Sequence, residues 1–325
     1  MAAVGTHGYA KNHYTTRMPT TLVRQLRNAA ALVAGALLSA CTNVGLQAIN
    51  VPSYLATDPR AERDIAYGDR PHQKLDLFLP PDSVEDRRQL VVFIYGGAWT
   101  AGNRSDYYFV AQTLASAGYT VAIPDYIKYP HGAFPEFVTD IALSIGWLTE
   151  AMAERNAVDD IILMGHSAGA HTGALLLTDD RYLRDAGVDK QVISAFIGLA
   201  GPYGFKPQEQ RYKDIFANLP DFNEMRPLHF ADGDEPPMLL VHGDDDTTVL
   251  PVNTRQFAEK VNAAGGSAET RFYPGVGHVA PVLAFSRAPL SETAIRDDVL
   301  DFLASLDSLA PLGSPNAVSS LARQD

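Results

Sequence analysis

The chain has almost no cysteine, too few basic residues to balance its acids, and no apolar run long enough to cross a bilayer. Cys41 is the one cysteine among 325 residues. A single thiol excludes an intrachain disulfide and a thiolate metal cluster. The 26 Lys and Arg residues face 38 Asp and Glu, a net charge of −12. That balance argues against a nucleic-acid partner, which would want a basic face. The apolar stretch 29–40 falls short of the roughly 20 residues that a membrane span requires. No segment recurs with a period of 20–50 residues, so solenoids and propellers are excluded. No histidine pair has helical His-x-x-x-His spacing beside a glutamate, so no metal site is expected, and no motif calls for a cofactor. What remains is 46% hydrophobic and 20% charged, which suits one large α/β domain or two small ones.

Residues 161–171 carry the clearest chemistry. The run Ile161-Ile162-Leu163-Met164 ends in Gly165-His166-Ser167-Ala168-Gly169. This is a G-x-S-x-G pattern after a strand-like segment and before a helix-like one. In such an elbow the serine hydroxyl stands clear of a sharp strand-to-helix turn. Flanking glycines are needed because a Cβ would collide in so tight a turn. The helix N-terminus beneath Ser167 favours negative charge developing nearby.

Elements alternate around it. Strands are expected at 64–68, 74–79, 90–95, 120–124, 160–165, 192–200, 237–244 and 268–273. Helices are expected at 106–117, 134–155, 168–178, 251–264 and 290–306. Strands alternating with helices imply a mostly parallel sheet with right-handed crossovers. The run 90–95 is apolar on both faces, as a central strand covered by helices would be. It ends in Gly96-Gly97-Ala98-Trp99, a second glycine-rich turn. Small residues there let backbone N–H groups approach an oxyanion, and Gly97, Ala98 and Ala168 are the candidate donors. Residues 205–235 break the rhythm with prolines and aromatics and read as a small cap. Trp99 and His166 are assigned to the substrate pocket.

Ser167 needs an acid and a base. His278 lies in the loop after the last strand, in Pro274-Gly275-Val276-Gly277-His278. The order nucleophile, acid, base then leaves the acid among Asp244, Asp245 and Asp246. His171 reads as a structural helix residue, His242 as a buried strand-end residue, and His229 has no clear place.

The N-terminus has a different character. Arg24 and Arg27 precede the apolar stretch, which closes in Leu38-Ser39-Ala40-Cys41. This resembles the lipobox of bacterial lipoproteins, whose cysteine is lipidated. The expected division is an upstream extension at 1–17, a lipoprotein-type signal peptide at 18–40, and a tether at 41–60. The catalytic domain follows at 61–307 and a flexible tail at 308–325. A lipid anchor at Cys41 would place the protein at a membrane of the bacterial cell envelope.

Residues 61–307 resemble the α/β-hydrolase superfamily. The pair Gly96-Gly97-Ala98-Trp99 and Gly165-His166-Ser167-Ala168-Gly169-Ala170-His171 is similar to one carboxylesterase group. That group holds isoprenylcysteine methylesterase-like, feruloyl-esterase-like and kynurenine formamidase-like enzymes. The resemblance implies an α/β-hydrolase fold and a Ser167–Asp246–His278 triad. Asp246 is chosen because such hydrolases show His-Gly, two residues, Asp, two residues, Val, as in His242 to Val249. Two departures stand out: Tyr95 where many relatives carry histidine, and Ile127 after Asp125-Tyr126 where hormone-sensitive-lipase-like enzymes carry arginine. The function implied is hydrolysis of small or short-acyl carboxylic esters. The alternatives are an arylformamidase and a non-catalytic binding protein.

Overall fold

The computed structural model describes residues 50, 60–155, 157–158, 160–286 and 292–306. The stretches expected to be a signal peptide (18–40) and a flexible tail (308–325), and Cys41, lie outside the described residues.

Eight strands form one sheet in the order β1-β2-β4-β3-β5-β6-β7-β8. They are β1 (Arg60–Ala66), β2 (Lys74–Leu79), β3 (Gln89–Ile94), β4 (Thr120–Pro124), β5 (Asp160–His166), β6 (Ile193–Leu199), β7 (Met238–Gly243) and β8 (Ala268–Tyr273). β1 and β2 pair antiparallel, and β2 runs antiparallel to β4. The remaining pairings are all parallel. β3, β4 and β7 are buried along their whole length, and β5 and β6 nearly so. Parallel strands with helices on both faces have no solvent side, which explains why these read as continuous apolar runs rather than as alternations.

The main helices are α1 (Tyr108–Ser116), α2 (Glu136–Glu154), α3 (Ala168–Thr178), α4 (Val252–Ala263) and α5 (Thr293–Leu306). α2 turns Phe137, Ile141, Ile145 and Leu148 into the core, the face its sequence periodicity marks. α5 buries Ile295, Val299 and Leu303, while Phe302 is only half-buried. Among the described residues, no helix is long and apolar enough to cross a membrane.

The first strand begins at Arg60 rather than at 64. Within the stretch read as a tether, Asn50 is buried and hydrogen-bonded to the domain. Its Nδ2 donates to the carbonyls of Ser105 (3.2 Å) and Asp106 (3.0 Å), and its Oδ1 accepts the Phe109 N–H at 3.0 Å. That N–H belongs to the first turn of α1, where no intrahelical acceptor exists. A polar composition is why the segment resembles a free linker, yet one amide there satisfies a helix end.

Candidate active site

Parallel strands deliver their carboxyl ends to one edge of the sheet, and each functional group sits just past such an end. Ser167 follows β5, the glycine-rich turn follows β3, Asp246 follows β7 and His278 follows β8. Open α/β sheets bind ligands along that edge.

The elbow is strained, and its neighbours hold it so. Ser167 has φ 54° and ψ −119°, a conformation that an L-residue adopts only when its surroundings impose it. Its N–H donates to the Leu199 carbonyl at 2.8 Å, and its carbonyl accepts the His171 N–H at 3.0 Å. Gly169 is required where α3 crosses β3. A Cβ there would lie 2.6 Å from the Tyr95 carbonyl oxygen and closer still to the Ile94 carbonyl. A Cβ on Gly165 would lie 2.6 Å from the Ala170 nitrogen.

Three side chains line up. His278 Nε2 lies 2.9 Å from Ser167 Oγ, and His278 Nδ1 lies 2.7 Å from Asp246 Oδ2. The Nδ1 contact to a carboxylate places the proton on Nδ1 and leaves Nε2 to accept from the serine hydroxyl. Asp246 Oδ1 accepts the N–H groups of Thr248 (2.8 Å) and Val249 (2.9 Å). Burial pushes the Asp246 carboxyl up, but hydrogen bonds from His242, His278 and the Val249 N–H outweigh it and hold the carboxyl well below the usual range. Asp244 pairs with Arg255 at 2.9 Å, and both Asp244 and Asp245 side chains are exposed. Of the three adjacent aspartates, Asp246 is the one that reaches His278.

The glycine-rich turn runs beside the serine: a Cβ on Gly96 would lie 3.1 Å from Ser167 Cβ. Gly97, Ala98 and Trp99 all have positive φ, at 130°, 52° and 57°. The Gly97 carbonyl pins the turn by accepting the N–H groups of Thr100 and Ala101 at 3.0 Å each. Among the described residues, the N–H groups of Gly97, Ala98 and Ala168 have no acceptor. Ala168 opens α3, where an orphan N–H is expected.

Behind this turn lies a polar network with no counterpart in the sequence reading. The Tyr95 hydroxyl donates to Asp125 Oδ1 at 2.6 Å. Arg104 donates its backbone N–H to the same oxygen at 3.0 Å, and its guanidinium pairs with Asp125 and with Asp76. Burial, the Tyr126 hydroxyl and the Asp125 carboxylate together push the Tyr95 phenol far up, so it stays a neutral donor. Tyr95 thus anchors the turn, and Asp125 serves as the hub of the network.

The pocket assignment needs correcting at both residues. Trp99 is only 3% exposed. Its ring packs on Phe137, His171, Phe205, Tyr212 and Phe216. The indole is thus packed among aromatic side chains of α2, α3 and the segment 205–235. That segment contains the short helices Gln210–Ile215 and Pro227–Phe230. His166 is 4% exposed, and its Nε2 lies 3.0 Å from the His278 carbonyl oxygen. It braces the backbone of the base rather than facing solvent. Burial, reinforced by the neighbouring His278, lowers its pKa to about 3. His171 is buried against Trp99, as a structural helix residue, and burial lowers its pKa to about 3 as well. His242, read only as buried, contacts the acid: its Nε2 lies 3.2 Å from Asp246 Oδ2. Leu250 and Val279, on the loops that carry Asp246 and His278, and Val252, at the start of α4, are large apolar side chains left exposed. Among the described residues, no three His, Cys, Asp or Glu side chains are grouped as metal ligands.

The chain is similar to known esterases in sequence and in fold. The BD-FAE family model matches residues 75–261. A probable isoprenylcysteine alpha-carbonyl methylesterase of Arabidopsis thaliana is 30% identical over 255 residues, covering 71% of this chain and 53% of that protein. Esterase LipC of Mycobacterium tuberculosis is 29% identical, covering 66% of this chain and 59% of its own. The chain therefore spans a little over half the length of either relative. Esterase B of Lactobacillus rhamnosis superposes with a TM-score of 0.68 at 20% identity, over 87% of this chain and 96% of that one, a likeness of fold.

Proposed function

The chain belongs to the BD-FAE family of α/β-hydrolases, and from that premise we propose that it is a serine carboxylesterase acting on small or short-acyl esters. The observation that carries the reading is the unbroken line Ser167 Oγ, His278, Asp246, with contacts of 2.9 and 2.7 Å. His278 Nε2 takes the hydroxyl proton as Oγ attacks the ester carbonyl carbon. The carbonyl π pair moves onto oxygen, and the N–H groups of Gly97, Ala98 and Ala168 receive that charge. As the intermediate collapses, the C–O bond to the alcohol breaks, and His278 returns the proton to the leaving oxygen. Water, deprotonated by His278, then releases the acid and restores Ser167. Asp246 stays ionised throughout, fixing the imidazole and offsetting its positive charge. Exposed Leu250, Val252 and Val279, close in sequence to Asp246 and His278, supply apolar surface that suits apolar ester groups. The names of the two relatives support ester chemistry.

The test is hydrolysis of p-nitrophenyl acetate and butyrate together with labelling by a fluorophosphonate. Wild type hydrolyses both esters and is labelled, and Ser167→Ala does neither. A folded wild type that is neither active nor labelled would favour a non-catalytic binding protein.

The lipobox-like Leu38-Ser39-Ala40-Cys41 supports a second proposal, a lipid anchor that holds the protein at the bacterial cell envelope. Cys41→Ser should move it from the membrane fraction to the soluble one; unchanged fractionation sinks the anchor.

A further inference from the structure

We propose that His242 is a positioning residue for the reaction at Ser167: together with Thr254, its imidazole fixes the orientation and charge of Asp246. The inference rests on the serine-hydrolase reading above.

The hydrogen bonds around the carboxylate motivate it. Asp246 Oδ1 is held by the backbone N–H groups of Thr248 and Val249. Oδ2, the oxygen that holds the base, meets two imidazoles: His278 Nδ1 at 2.7 Å and His242 Nε2 at 3.2 Å. A carboxylate fixed through one oxygen can still rotate about its last torsion, because that torsion is soft. The His242 N–H, shared between the Val249 carbonyl and Oδ2, limits this freedom and biases the oxygen toward His278.

The tautomer of His242 follows from its neighbours. Nε2 faces two acceptors, Asp246 Oδ2 and the Val249 carbonyl oxygen at 2.8 Å. An unprotonated nitrogen there would meet lone pairs on both sides, so Nε2 carries the proton. Nδ1 lies 2.7 Å from Thr254 Oγ1 in α4. A hydroxyl can donate to an unprotonated Nδ1, so His242 can serve Asp246 as an Nε2–H donor. The result is a continuous chain: Thr254, His242, Asp246, His278, Ser167. His242 and Thr254 are fully buried and Asp246 nearly so, and in so dry a place each bond is strong and each loss costly. The titratable groups facing this cluster are His278, Asp246 and His166. The His166 ring lies 5.2 Å from the His278 ring and stays neutral. When His278 becomes an imidazolium, Asp246 is its one opposing charge in the cluster, and its orientation decides how well that cation is stabilised.

A purely structural role for His242 would give a different result from the same variants. The measurements are kcat per active site, titrated with a fluorophosphonate, KM, the pH profile from 5 to 9, and Tm. His242→Leu should lower kcat about 10- to 100-fold, the size of one charge-assisted hydrogen bond, with KM within about twofold. His242→Gln, whose amide can still donate to Asp246, should recover most of the rate. Thr254→Val should lower kcat several-fold, and Thr254→Ser should restore it. The proposal is overturned if folded His242→Leu keeps kcat within twofold of wild type at every pH, or if the Gln variant is no better than Leu. If His242→Leu does not fold, the Thr254 pair decides: equal kcat and pH profiles for Val and Ser overturn it. An inactive, unlabelled wild type would instead sink the esterase reading, so the two failures are distinct.

Discussion

The indole of Trp99 meets the ring of Phe216 edge to face, with centroids 5.1 Å apart. This contact ties the glycine-rich turn after β3 to the segment that covers it. Phe216 also packs on Phe134 and Phe137, so the turn, the segment 205–235 and α2 share one aromatic cluster. Truncating Trp99 therefore acts through stability before it acts on substrate. Trp99→Ala should cost about 3–5 kcal/mol, as for other buried aromatics. Trp99→Phe should cost much less, because the indole N–H has no acceptor among the described residues and leaves no partner stranded. Urea denaturation measures both. A Trp99→Phe protein with wild-type stability but a changed acyl-chain preference would return Trp99 to the substrate pocket.

Asp246 and Asp245 adjoin in sequence and differ in every physical respect. Asp246 is buried and receives two N–H groups and two imidazoles, whereas Asp245 is exposed. Asp246→Asn keeps the shape but presents the wrong group to His278 Nδ1, and should lower kcat by about 10⁴. Asp245→Asn should stay within twofold of wild type. Steady-state kinetics on a p-nitrophenyl ester decides, and a reversed order would move the acid to Asp245.

The architecture was legible because its signals are local. Apolar runs such as 90–94 and 161–164 mark buried strands, and Gly165-x-Ser167-x-Gly169 marks the turn between strand and helix. Ser167 and His278 could be placed from chain order. What escaped depends on contacts distant in sequence. Tyr95, Asp125, Arg104 and Asp76 meet in one network, and no spacing rule links residues 76, 95, 104 and 125. Trp99 misled because composition cannot show which way a residue with positive φ points its side chain. His242 and Thr254 are 12 positions apart on a strand and a helix, and only the crossover brings the imidazole to the hydroxyl.

Two buried neutral histidines make the fold acid-sensitive. Burial lowers both His166 and His171 to about 3, against about 6.5 in an unfolded chain. As pH falls below 6.5 the unfolded chain takes up these protons and the folded chain does not. Their contribution is therefore intact above pH 6.5 and is lost progressively down to about pH 3. Each group should remove about 2 kcal/mol between pH 6.5 and 5, from 1.36 kcal/mol per pH unit. Urea midpoints at pH 7.5 and 5.0 read this loss, and His171→Leu should cut the pH dependence by roughly half. A slope unchanged in that variant would mean that His171 does not titrate in this way.

Gly169 and Gly173 lie one turn apart on α3, and alanine should act on them in opposite ways. At Gly169 a Cβ would press into the Ile94 and Tyr95 carbonyls, which are fixed in β3 and the turn after it and cannot give way. Gly169→Ala should therefore cost about 3 kcal/mol or more. It should also displace Ser167 from its 2.9 Å contact with His278, so that fluorophosphonate labelling slows even in the molecules that fold. At Gly173 the nearest atoms are Phe196 Cε2 at 3.0 Å and Ile94 Cδ1 at 3.4 Å, both on side chains that can shift. The gain in helix propensity, about 1 kcal/mol, opposes that strain, and Gly173→Ala should fall within about 1 kcal/mol of wild type with normal labelling. Equal losses at the two positions would mean that helix packing in general, rather than the approach of α3 to the β3 backbone, requires the glycine after the nucleophile.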